Sequence, residues 1–466
     1  DTGIFAVGGW VQMMLIGQLL LAMPVIAIAG NSVAALQILV GALGAVTLVC
    51  SYLVLRNFLN RRWSAFSILA LAGSAMYGLL SVSFMTDVPA AAFQLLALAL
   101  AYRALREDGV NWLWLSLASF AGVVALSIRE YAIVALATIW LVTARRVWGT
   151  SSRTKFLLLT GTVATVVVAL FVWRQSQVTV VENSVGINLY GLRYLAWWPL
   201  TSGWLLLPAI AVINPQRALA RAWVASRPLT VLAVVGALAA MAHTRLNLLG
   251  NYMSLSGGYS EVIRGVPETM LPSWWALPMT AVAAYSAVAL AIVLVPIVMK
   301  MWNARRDLRR ETRSPTALAA TFVTLTVLIY VVVPVLAETA LFDRYFIAAL
   351  PVAVGLILWW ATREELTWTR PLTPAVAALS LSTATSIILV AATSALDGVR
   401  WQLGYQVAQD LGVADGNIDA GFDFFDFHTN GGPRPDGVRW TWWTAQLGDR
   451  AVCATVTYVD FDESRI

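Results

Sequence analysis

Polar chemistry is scarce in this chain and gathers at a few points. Met85-Thr86-Asp87-Val88-Pro89, Ile128-Arg129-Glu130-Tyr131 and Phe342-Asp343-Arg344-Tyr345 each interrupt an apolar run, and Glu261 and Arg264 lie in a longer polar stretch. Such residue types suit one kind of reaction. A carboxylate can orient a nucleophile or take its proton. A guanidinium grips phosphate oxygens through paired hydrogen bonds and keeps its charge at any relevant pH. Asp87, Arg129, Glu130, Glu261, Arg264, Asp343, Arg344 and Tyr345 are therefore the candidate functional residues, with Asp87 as the catalytic carboxylate.

Each also has a plainer reading. Asp87, two residues before Pro89, suits a helix N-terminus as a capping group. Arg129 and Glu130 can neutralise each other at a re-entrant turn. Arg344 can snorkel toward lipid headgroups, with Tyr345 in an interfacial aromatic belt.

The elements that must carry these residues are membrane spans. The chain has 466 residues, 59% hydrophobic and only 12% charged, with mean hydropathy +0.74. Soluble domains carry about 25% charged residues, so a soluble globular protein is excluded. Apolar runs predict twelve spans: 33–55, 63–83, 88–105, 112–126, 131–143, 156–173, 195–213, 228–242, 274–299, 316–337, 345–361 and 374–395. Setting the Arg56, Arg61, Arg62 loop inside puts twenty of the 31 Lys and Arg in inner loops and six in outer loops. That asymmetry orients the chain and places every candidate residue on the outer face. The net charge of +6 is thus a topological signal and not a nucleic-acid footprint.

Residues 10–29 read as an outer interfacial helix weakened as a span by Gln12, Gln18 and Pro24, with crossing as the alternative. The 112–126 and 131–143 runs are short enough to form a re-entrant hairpin. After Ala395 the composition turns acidic, and residues 396–466 read as a small extracytoplasmic α+β appendage with a helix over 399–411 and a strand over 452–459. The expected division is therefore 1–32 interfacial, 33–395 transmembrane and 396–466 extracytoplasmic. Cys50 and Cys453 have no metal spacing, and His243 and His428 are isolated, so no metal site is expected and a divalent ion is left undetermined. The paired tryptophans Trp197-Trp198 and Trp274-Trp275 and the Trp440, Trp442, Trp443 cluster read mainly as interfacial belts, with sugar stacking as the alternative for a few.

Taken in order, these pieces resemble the GT-C glycosyltransferases, in the branch containing protein O-mannosyltransferases and the aminoarabinose transferase acting on lipid A. Met85-Thr86-Asp87-Val88-Pro89 is similar to that branch's second-loop acidic motif. Phe342-Asp343-Arg344-Tyr345 with Pro351 resembles its late Asp-Arg-Tyr helix start, and Ile128-Arg129-Glu130-Tyr131 its polar break between middle spans. Gly412-Val413 followed by Ile418-Asp419-Ala420-Gly421-Phe422 is similar to a tail segment of bacterial members. The resemblance implies an all-α GT-C-like membrane fold in a bacterial inner membrane. It implies a sugar donor on a polyprenyl phosphate and an acceptor lipid, glycan or protein met on the extracytoplasmic face. It also implies a first span followed by an acid, which is expected to be missing upstream of Asp1. The implied mechanism is inverting, with Asp87 positioning or activating the acceptor and Arg344, Arg129 or Arg264 stabilising the departing phosphate.

On that reading Asp87→Asn abolishes transfer and leaves folding intact. The rival functions are a transporter or channel, an O-antigen ligase or polymerase, and a scaffold. A transporter would need ionisable groups within spans or inverted repeats with broken helices, and the charges instead sit at the ends.

Overall fold

The structure, a computed structural model, describes residues 15–30, 32–106, 109–177, 193–244, 246, 273–304, 314–336, 343–415, 418–420 and 454–455. These residues are almost entirely helical. Among the described residues four helices are long and apolar enough to cross a membrane: α2 (Val33–Leu55), α8 (Arg153–Gln177), α13 (Ser273–Ala304) and α16 (Leu372–Leu411). A fifth crossing arises if α3 (Arg61–Ala72) and α4 (Ala75–Ser81), bent by 69°, are one span. Shorter apolar helices add to these: α1 (Ile16–Ala29), α6 (Trp112–Ile128), α12 (Arg227–His243), α14 (Ala317–Leu336) and α15 (Leu350–Arg363). The protein is thus a helical multi-pass membrane protein. In α8 only 11% of the apolar window is buried, so its surface must be covered by lipid.

The α3–α4 break replaces the single span expected over 63–83. Gly73 and Ser74 cause it: the Ser74 hydroxyl donates to the Leu71 carbonyl at 2.7 Å, ending α3. A Gly–Ser pair is a common site of sharp kinks. The Gly73 backbone also lies against α16, whose Ser382 hydroxyl donates to the Gly73 carbonyl at 3.4 Å.

At the centre runs α5 (Asp87–Ala104), buried along most of its length between α2 and α6. Its alanines let neighbouring backbones approach, which is how helices associate where lipid removes the hydrophobic drive. The α9 helix (Arg193–Leu205) meets α13 in the same way at Gly203. A Cβ there would stand 2.4 Å from the Ala283 carbonyl and 2.6 Å from the Ala287 nitrogen. The run expected over 195–213 splits into α9 and α10 (Leu207–Ile210), and α11 (Pro215–Ala225) occupies what the sequence gives as loop. Asn214 caps α11, accepting from the Gln216 and Arg217 amides.

The α16 helix continues unbroken from the expected span through the expected 399–411 helix, 40 residues in all. At about 1.5 Å per residue it outruns a hydrocarbon core of about 30 Å. It ends at Gly412, whose φ of 63° takes the left-handed cap that favours glycine. Beyond it Ala408, Ile418 and Ala420 form a small separate core with Trp401 and Tyr405 against it. The short parallel pair β1 (Ile418–Asp419) and β2 (Ala454–Thr455) adjoins that core; of the strand expected over 452–459, only Ala454 and Thr455 are described.

Candidate functional site

Three breaks between helices, far apart in sequence, meet around one carboxylate. Asp87 is the first residue of α5, following Thr86 at the cap position. Thr86 makes no side-chain cap bond, and the Asp87 carboxylate faces side chains from elsewhere in the chain. The capping reading therefore does not describe its bonding, although an acid in a first helical turn still suits the helix dipole.

The second break follows α6. Arg129 ends that helix in an extended conformation, φ −150° and ψ 131°, with its amide on the Ala125 carbonyl. A single 3-10 turn, Glu130–Ala132, then leads into α7 (Ile133–Val147). This turn aims alternate side chains apart. Arg129 Nη2 stands 3.2 Å from Asp87 Oδ2, and the Tyr131 hydroxyl donates to Asp87 Oδ1 at 3.0 Å. Glu130 pairs with Arg174 at 3.4 Å.

The third break precedes α15. Asp343–Phe346 forms a 3-10 turn in which the Asp343 carboxylate accepts from the Arg344 amide at 2.8 Å. Arg344 Nε lies 3.9 Å from Asp87 Oδ1. Arg344 is 4% exposed, Arg129 3%, and Asp87 and Asp343 0%. Arg344 is therefore enclosed by protein and does not snorkel.

Aromatic rings wall the charges. Tyr345 packs on Tyr131 with centroids 5.0 Å apart, and the Arg344 guanidinium carbon is 5.6 Å from the Tyr345 centroid. The Arg129 guanidinium carbon is 6.0 Å from both tyrosine rings. Tyr345 is thus a wall residue of the site and not part of an outward belt. Of the expected residues the structure brings together Asp87, Arg129, Asp343, Arg344 and Tyr345, with Glu130 alongside. Glu261 and Arg264 lie outside the described residues, as do Asp1, His428 and the Trp440, Trp442, Trp443 cluster.

Sequence reasoning misses Tyr131 and Tyr330 as members of the site, and it reads Trp198 mainly as an interfacial-belt residue with sugar stacking as the alternative. Tyr330 of α14 and Trp198 of α9 continue the aromatic wall: Tyr330 lies 6.3 Å from Tyr345, and Trp198 is edge-on to Tyr330 at 4.7 Å. The signal for Tyr330 was a single polar atom inside Thr326–Val332, too little to stand out from an apolar run.

A second polar cluster sits at the far end of α15. Glu364 pairs with Arg221 at 2.6 Å and Lys300 at 3.1 Å, beside a cavity of ≈ 490 Å³ lined also by Val224, Pro296, Met299 and Trp360. The hydrogen bonds from Lys300 and Arg221 hold the Glu364 carboxyl below the usual carboxylate range. The 14 residues of α15 separate the two clusters by about 21 Å at helical rise. Among the described residues no group of three His, Cys, Asp or Glu could hold a metal ion.

Two carboxylates, two guanidiniums and three phenols in one buried cluster can bind an anionic headgroup and a hydroxylated acceptor side by side. Arginine offers five donors, so Arg129 and Arg344 can bond Asp87 and still present N–H groups to phosphate oxygens. Residues 17–173, which include Asp87, Arg129 and Tyr131, match the family model for dolichyl-phosphate-mannose-protein mannosyltransferase. No curated protein and no solved structure matches the chain.

Proposed function

We propose that this chain, which over residues 17–173 belongs to the dolichyl-phosphate-mannose-protein mannosyltransferase family of GT-C type, works its chemistry at the Asp87, Arg129 and Arg344 cluster. The family is one of glycosyltransferases that use a lipid-phosphate-linked sugar. The finer reading is that the carrier is a polyprenyl phosphate, the acceptor a lipid, glycan or protein, and the working face extracytoplasmic in a bacterial inner membrane. Twelve spans, with the shorter apolar helices other than α1 crossing as well, give the frame in which all three breaks open outward. Residues 1–32 then lie at the outer interface and 396–466 outside.

In this reading the donor's tail lies among lipid-facing helices and its phosphate reaches Arg344 and Arg129. The acceptor hydroxyl or amine is oriented by Asp87, which also takes up its proton. It attacks the anomeric carbon and inverts it. The bond from that carbon to the phosphate oxygen breaks, and the guanidiniums stabilise the charge that grows on the leaving phosphate. Glu130, held by Arg174, is placed at the rim. Asp343 sets the Arg344 backbone, and Arg264 and Glu261 remain further candidates for contacting the donor.

The observation that carries this reading is the meeting of Arg129 and Arg344 on the buried Asp87 carboxylate at 3.2 and 3.9 Å. A transporter would place such a group along a path through the spans, whereas all three residues here lie at helix ends. The test is to supply polyprenyl-phosphate sugars to the protein in sealed proteoliposomes, from either side, and to measure release of free carrier. Release from the outer side alone is expected. Release from the inner side, or none with any sugar in the presence of mixed acceptors, would overturn the reading.

A further inference from the structure

Two buried hydrogen-bond donors beside the charged cluster have no acceptor among the described residues. The Tyr330 hydroxyl and Trp198 Nε1 are both enclosed and make no hydrogen bond. Tyr330 is 4% exposed as a residue. Buried polar groups are nearly always bonded, and an orphaned one calls for an explanation. An indole N–H can only donate, so the missing partner of Trp198 is an acceptor.

Their place narrows what that partner is. Tyr330 lies about two turns before the end of α14, and Trp198 lies in the middle of α9. Their rings meet edge-on at 4.7 Å, and each also contacts Phe346, at 6.1 and 5.9 Å. Tyr330 adjoins Tyr345, which adjoins Arg344. The wall is thus continuous from the guanidiniums to the two orphaned donors.

A phosphate would go to the guanidiniums. The ground beyond them is aromatic and uncharged, with two donors facing no acceptor. Apolar ring faces together with isolated neutral donors match a sugar ring, which offers C–H faces and hydroxyl oxygens. We propose, resting on the reading of the site given above, that Trp198 and Tyr330 form the seat of the donor's sugar. Tyr330 Oη and Trp198 Nε1 donate to its hydroxyl oxygens while its phosphate lies at Arg344. The two residues are positioning and specificity groups, and the sugar satisfies their unmet hydrogen-bonding demand.

That demand supplies a test a structural hydroxyl would not pass. Tyr330→Phe and Trp198→Phe keep a ring and remove the donor. The full protein in nanodiscs is assayed for binding of bare polyprenyl phosphate and of polyprenyl phosphate carrying mannose, glucose or a pentose. Thermal unfolding is followed in parallel without added carrier. The expected result for each variant is unchanged binding of the bare carrier and about tenfold weaker binding of the sugar the wild type prefers. Tyr330→Phe is also expected to unfold at the same or a higher temperature, because it removes an unsatisfied group. Unchanged binding of sugar-linked carrier overturns the proposal and leaves the phosphate site standing. A lower unfolding temperature for Tyr330→Phe also overturns it, since the hydroxyl would then have a structural partner. A wild type that binds neither lipid removes the functional reading along with it.

Discussion

Asp87→Asn tests the site most sharply when stability and transfer are read together. From the sequence this variant is expected to lose transfer and keep its fold. The structure changes the second half of that expectation, because the carboxylate compensates two buried guanidiniums. At an effective dielectric of about 20, charges 3.2 and 3.9 Å apart attract by about 5 and 4 kcal/mol. The two are similar, so neither arginine alone accounts for the cluster. Desolvation offsets much of this, and stripping one partner from a buried pair costs about 3–5 kcal/mol. Asparagine keeps an acceptor for the Tyr131 hydroxyl, so the loss falls on charge.

Equilibrium unfolding in mixed detergent, read by the emission of the 21 tryptophans, is expected to show destabilisation of about 3 kcal/mol. Adding Arg129→Gln removes the charge left over and is expected to recover half of that or more. Transfer is expected to remain absent in both variants. A single variant as stable as wild type would refute the ion cluster. A double variant that regains transfer would show that Asp87 only neutralises Arg129.

The packing and the far-end cluster give further predictions. Gly203→Ala is expected to destabilise by about 1–3 kcal/mol, because its Cβ would meet the α13 backbone and neither atom can turn aside. Gly161→Ala, where a Cβ meets nothing within 4 Å, is the control and is expected to be neutral or stabilising in the same unfolding assay. Glu364 has a depressed pKa in the folded protein, so its pairs contribute stability above the unfolded glutamate pKa of about 4.3 and lose it as pH falls through the lower folded value. Wild type is therefore expected to lose stability over that acid range more steeply than Glu364→Gln. Parallel pH profiles would count against the ion pairs with Arg221 and Lys300.

The charged half of the site was legible because cost makes it conspicuous. A charge beside hydrocarbon is expensive, so Asp87, Arg129 and Arg344 stood out among alanines and valines, each at the end of an apolar run. Their meeting was implied by the family resemblance and not by the spacing itself, since Asp87 and Arg129 are joined by a hairpin while Arg344 arrives from a different part of the chain. Nor was the enclosure of Arg344, because a snorkelling arginine and a buried one have the same sequence neighbours. Tyr330 stayed hidden for the opposite reason: it adds one polar atom to a large apolar ring and raises no signal in a hydropathy pattern, and Trp198, though conspicuous as one of a pair, could not be told from an interfacial-belt residue. Span boundaries erred where continuity depends on packing. Gly73 and Ser74 break an apolar run that composition joins, and α16 runs through Asp397, whose carboxylate is paired with the buried Arg400 guanidinium at 3.0 Å.

The central claim is that Arg344 grips the phosphate of a lipid-linked sugar beside Asp87. Steady-state release of carrier from a polyprenyl-phosphate sugar, compared for wild type, Arg344→Lys and Arg344→Ala, measures that directly. Lysine restores the charge without the planar fork, so the account predicts a raised donor KM in Arg344→Ala and partial rescue in Arg344→Lys. Donor KM and turnover equal to wild type in Arg344→Ala would contradict it.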